Sequence, residues 1–157
     1  MVPRYLLTFV CLIFWLLTFS LGAFVDTNPI RANLSKEFNF SDFLFVVSAW
    51  IPTNLGILSV LAGLSGALCR SLLRSLEIGV EQIRPQKEGS RILGGGIAGL
   101  LFYLALMAGA YLLMENPFET TTKEQYFRVA GVVSFIAFLA GFRPDLLRRV
   151  MDKLPGF

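Results

Sequence analysis

Long runs without a single charge decide what this chain can become. Tyr5 to Val25 is one such run and Ile92 to Met114 another. Phe43 to Cys69 is a third, and it is longer than one perpendicular crossing needs. The fourth, Val129 to Phe142, reaches spanning length only when carried back to Tyr126, which brings in Arg128. A bilayer core about 30 Å thick is crossed by roughly 20 apolar residues in a helix. In lipid, backbone polar groups must be satisfied within the segment, which favours helices. The pattern predicts an all-α integral membrane four-helix bundle forming one domain over residues 1–157. Its expected spans are about 5–25, 52–69, 92–114 and 126–142.

Composition agrees with this reading. Hydrophobic residues make up 55% and charged residues 16%, where a soluble domain carries roughly 25% charged. The chain has no His and two Cys, Cys11 and Cys69, both in apolar runs. Most zinc sites, His-based triads and a disulfide framework are thereby removed. No cofactor, metal or nucleic-acid partner is expected.

Pro52 divides the longest run. Proline suits the first turn of a helix and breaks its interior. Phe43 to Ile51 therefore reads as an apolar lead-in, with a single long helix kinked at Pro52 as the alternative. The first run follows Arg4 and contains the small-residue sequence Ser20-Leu21-Gly22, as a cleaved leader would. Its apolar stretch is long for such a leader, so it is expected to remain as a span.

Basic residues set the expected orientation. Arg4, the connection with Arg70, Arg74, Arg84, Lys87 and Arg91, and the tail with Arg143, Arg148, Arg149 and Lys153 hold ten of the 14. Arg31, Lys36, Lys123 and Arg128 belong to the other side. The positive-inside rule then puts both termini and the connection 70–91 in the cytoplasm, and 26–42 and 115–125 outside. An even number of spans requires the two ends to share a side. The expected location is a bacterial inner (plasma) membrane. Two sequons in the outer loop, at Asn33 and Asn39, are then chance matches.

Three further segments have readable patterns. Thr122-Lys123-Glu124-Gln125 fits a capping box opening the fourth helix. Leu72, Leu73, Leu76, Val80 and Ile83 share one helical face, with Arg70, Arg74, Glu77, Glu81 and Arg84 around the rest. The second helix should therefore run on toward Pro85. Its stripe either packs on the protein's own tail or docks a partner. After Gly141-Phe142-Arg143-Pro144, residues 144–154 read as a short amphipathic cytoplasmic helix. Its apolar face is Leu146, Leu147, Val150, Met151 and Leu154, and Arg148, Arg149 and Lys153 suit lipid headgroups.

Spans in lipid associate by close packing, which small residues permit. Gly63 and Gly66 in the second span, Gly95 and Gly99 in the third and Gly141 in the fourth are the expected contact points. The first span, rich in Leu, Phe and Trp, should face lipid more than the others. Polar candidates for a pore lining are Thr53, Asn54, Ser59 and Arg128. Thr53 or Asn54 could instead cap the helix near Pro52, and Arg128 could snorkel to headgroups or pair with Glu124. No catalytic group is expected, because Ser59, Ser65 and Cys69 have neither a His nor a carboxylate at their depth.

These residues predict a non-enzymatic small polytopic membrane protein that self-associates and forms or gates a pore. The alternative is an accessory or scaffold subunit of a membrane complex, docking partners through helix 70–84.

Overall fold

The computed structural model describes residues 4–24, 36–78, 85–113 and 122–144, with positions 30, 32, 34 and 118. These residues form five helices: α1 (Arg4–Phe24), α2 (Phe40–Ala49), α3 (Ile51–Ile78), α4 (Pro85–Leu113) and α5 (Lys123–Phe142). No strand occurs among the described residues. The helices α1, α3, α4 and α5 are long and apolar enough to cross a membrane. The fold is all-α, as the uncharged runs predict.

Helix ends depart from the predicted spans where charge alone set the prediction. Leaving the hydrocarbon does not end a helix, and α3 continues past Cys69 to Ile78, in the direction its amphipathic stripe predicts. Pro85 opens α4 well ahead of Ile92, at a position where a missing N–H leaves nothing unpaired. The fourth helix starts at Lys123, before Tyr126, because Thr122 caps it. Thr122 Oγ1 accepts the Gln125 N–H at 3.3 Å, and Gln125 Oε1 accepts the Thr122 N–H at 3.0 Å. This reciprocal pair is the capping box read from the sequence.

The apolar lead-in is a helix of its own. Asn39 caps α2, its Oδ1 accepting the Ser41 N–H at 3.0 Å, so the outer loop 26–42 gives up its last residues to helix. Trp50 then adopts extended backbone, with φ −64° and ψ 126°, before α3 begins. Pro52 lies in the first turn of α3, which overturns the alternative of one long kinked helix. Residues 79–84 and everything past Pro144 lie outside the described residues. The tail helix expected over 144–154, with Arg148, Arg149 and Lys153, falls there, as do Val80 and Ile83.

Helix α3 is the centre of the bundle and touches the other four; α1 and α4 each also pack on α5. Cross-contacts fix the directions. Asn54 near the start of α3 meets Tyr126 near the start of α5, and Gly63 meets Gly141 further along both, so α3 and α5 run parallel. Thr18 near the end of α1 meets Asn54, and Gly95 early in α4 meets Gly63 while Tyr103 later in α4 meets Gly56. Both α1 and α4 therefore run against α3. The start of α1 and the end of α5 lie on one side of the bundle.

The outward faces belong to α1 and α4. The first span is largely exposed, as expected, with Phe9, Leu12, Leu16 and Leu17 facing out. The third is equally exposed, which its glycines did not suggest. Gly95 and Gly99 bring one narrow strip of α4 against its neighbours, and Leu93, Ile97, Leu101 and Leu104 turn away.

Candidate functional site

Two features of the interior draw on the residues singled out from the sequence. The first is a crossing of three helices. Gly63 stands at its centre: a Cβ there would overlap the Gly95 carbonyl oxygen and lie 3.3 Å from the Gly99 Cα. A Cβ on Gly141 would strike the Gly63 carbonyl, and one on Gly99 the Ser59 carbonyl. On Gly66 it would meet the Phe138 carbonyl oxygen and stand 2.8 Å from the Phe142 nitrogen. All five predicted packing glycines thus have another helix's backbone where a side chain would be. Backbone approach this close gives the dispersion contact that joins helices in lipid. Other glycines look the same in sequence and behave differently. Gly94, Gly109 and Gly131 have open space in the same direction.

The second feature is a polar joint at the opposite end of the bundle from the start of α1 and the end of α5. Asn54 is fully buried. Its Nδ2 donates to the Thr18 carbonyl of α1 and the Ser48 carbonyl of α2, both at 2.8 Å. Carbonyl oxygens only accept, so these two partners fix which end of the amide carries the nitrogen. Asn54 Oδ1 accepts the Tyr126 hydroxyl of α5 at 2.7 Å. The Phe19 carbonyl stands 3.1 Å from the same hydroxyl. One side chain on α3 therefore ties α1, α2 and α5 together. Gly22 makes room for it, since a Cβ there would lie 2.6 Å from Asn54 Oδ1 and inside the Tyr126 hydroxyl.

Smaller ties surround the joint. Thr53 Oγ1 sits against the Val47 and Trp50 carbonyls and closes the turn between α2 and α3. Tyr103 donates its hydroxyl to the Pro52 carbonyl, joining α4 to α3. Trp15 Nε1 donates to Ser134 Oγ at 3.1 Å, joining α1 to α5. Ser59 is fully buried and bonds back to the Gly56 carbonyl at 2.7 Å, the usual arrangement of a serine inside a helix. Among the described residues, no buried side-chain nitrogen or oxygen lacks a hydrogen-bond partner.

The four residues nominated as a polar lining do not face one common space in this chain. Asn54 and Ser59 point into packed interior, and Thr53 serves the α2–α3 turn. Arg128 is exposed on the outer side of α5, about 7 Å along the helix from Lys123 at 1.5 Å per residue. It lies within snorkelling reach of headgroups. Sequence reasoning singled out Asn54 but not its partners. Gly22 drew notice only as part of a leader-like sequence, Tyr126 only as a helix boundary, and Trp15 only as part of an apolar, lipid-facing span. Comparison with protein-family models, with curated protein sequences and with solved structures gives no match to this chain.

Proposed function

We propose that this chain is a non-enzymatic polytopic membrane subunit that acts by association within the bilayer, with copies of itself as the first partner. The carrying observation is the division of its polar and apolar groups. Polar side chains within the spans are bonded inward, with Asn54, Ser59, Ser65 and Ser134 all buried. The faces that remain on α1 and α4 are apolar and broad. A packed interior of this kind supports an anchor rather than a conduit. A pore lined by Asn54 would require it to leave three partners on three helices, each bond worth about 0.6–1.7 kcal/mol in a membrane. The distribution of Lys and Arg supports an orientation with both ends cytoplasmic.

The test is the mass of the particle in lipid nanodiscs, combined with ion flux from liposomes holding the same protein. The proposal expects particles heavier than the 17.4 kDa chain and flux equal to that of empty liposomes. A monomer at every protein density would overturn self-association. Flux that Asn54→Leu alters would overturn the anchor and favour the pore.

A further inference from the structure

The stripe of α3 that packs on α5 outlasts its partner. Ala62, Gly66, Cys69, Leu73 and Leu76 follow one another at alternating steps of four and three, so they share a face of the helix. Ala62 and Gly66 are buried, with the backbone of Phe138 and Phe142 over Gly66. Helix α5 ends at Phe142. Beyond that level the same face opens: Leu73 is 45% and Leu76 83% exposed. The two leucines lie one and two turns past Arg70, the first charge after the apolar run. Counted from Ile51 at 1.5 Å per residue, about 30 Å of α3 ends near Arg70, so the two leucines lie at or beyond the hydrocarbon edge, where bare Leu in water is unfavourable by up to about 1.5–3 kcal/mol each.

The chain that leaves α5 begins next to this face and on the same side of the bundle, because α3 and α5 run parallel. We infer that residues 145–154, through Leu147, Val150, Met151 and Leu154, cover Leu73 and Leu76 and extend the α3–α5 contact beyond the bilayer. Lengths match. From the level of Gly66, α3 runs on to Ile78, about 18 Å at 1.5 Å per residue, and a helix over 145–154 rises about 15 Å. The tail's apolar residues recur at the spacing such a contact needs. Its tether holds it beside the leucines at a local concentration on the order of millimolar, ahead of any untethered occupant. Arg148, Arg149 and Lys153 stay on the opposite face, free for headgroups.

The test is a cysteine-pair scan of the full chain in vesicles of phosphatidylcholine and phosphatidylglycerol, with Cys11→Ala and Cys69→Ala as background. Leu76→Cys is combined in turn with a cysteine at each position from 146 to 154, and oxidation is followed on non-reducing gels. Disulfides need Cα atoms within about 7 Å, and Phe142 lies over Gly66, so bonds within one chain should peak at Met151, level with Leu76, roughly tenfold faster than at Arg148, Arg149 and Asp152. A flat profile or no bond overturns the inference and puts the tail on lipid. Bonds between chains also overturn it, giving the face to a second copy. Amide exchange at Leu73 to Leu76 provides an independent readout without cysteines. It should quicken when Leu147→Asp and Met151→Asp are introduced, and an unchanged rate overturns the inference.

Discussion

Replacing Asn54 by leucine keeps the side chain's size and removes its hydrogen bonds. The Thr18 and Ser48 carbonyls each lose a donor at 2.8 Å, and the Tyr126 hydroxyl loses its acceptor at 2.7 Å. In membrane proteins such bonds contribute about 0.6–1.7 kcal/mol each, below what burial alone suggests, because the unfolded chain in lipid also finds partners. Three bonds give an expected loss of about 2–5 kcal/mol. Tyr126→Phe removes only the hydroxyl and should lose about 1 kcal/mol. The double variant should lose less than the two single losses together, since the Asn54–Tyr126 bond disappears once. Reversible unfolding in bicelles by added SDS measures all three variants. If Asn54→Leu matches the parent within about 0.5 kcal/mol, or the pair shows no coupling, the joint is not what holds α1, α2 and α5 on α3.

Glycine substitutions should divide by position. Gly63→Ala and Gly141→Ala push a methyl into another helix's backbone and should destabilise by about 1–3 kcal/mol. Gly109→Ala and Gly131→Ala, which meet nothing, should be neutral or stabilise by up to about 1 kcal/mol through helix propensity; thermal melting in detergent separates the pairs. Trp15→Phe keeps the ring against Phe19, 5.2 Å away between centroids, and loses the Ser134 bond. It should cost about 1 kcal/mol in the same SDS titration. Thr122→Ala removes the cap of α5 and should cost about 0.5–2 kcal/mol, read as faster amide exchange over Lys123–Tyr126.

The spans were legible because charge is excluded from lipid, and that exclusion is local in sequence. The run of α3 past Cys69 was read from its amphipathic stripe, whereas the start of α4 at Pro85, ahead of Ile92, was not. A helix leaving the bilayer keeps its hydrogen bonds, and nothing in Arg70 or Arg91 stops it. Thr122 and Pro52 were readable because capping and proline geometry act within a few residues. The glycine crossing was readable only as a set of suitable residue types. Gly95 and Gly94 are neighbours in the same triplet, yet one meets α3 and the other meets nothing, a difference set by helix rotation. The joint was least visible. Asn54 pairs with groups 36 and 72 residues away, and Trp15 with one 119 away. No local pattern announces such partners.

The interior is packed and dry, and Ser59 reports on it best, since sulfur for oxygen is a small change at a fully buried site. Ser59→Cys, in a chain carrying Cys11→Ala and Cys69→Ala and reconstituted in vesicles, is exposed from both sides to a membrane-impermeant thiol reagent. The packed interior predicts no labelling under conditions that label exposed Glu124→Cys to completion. Labelling of Ser59→Cys from water in the folded protein would contradict it.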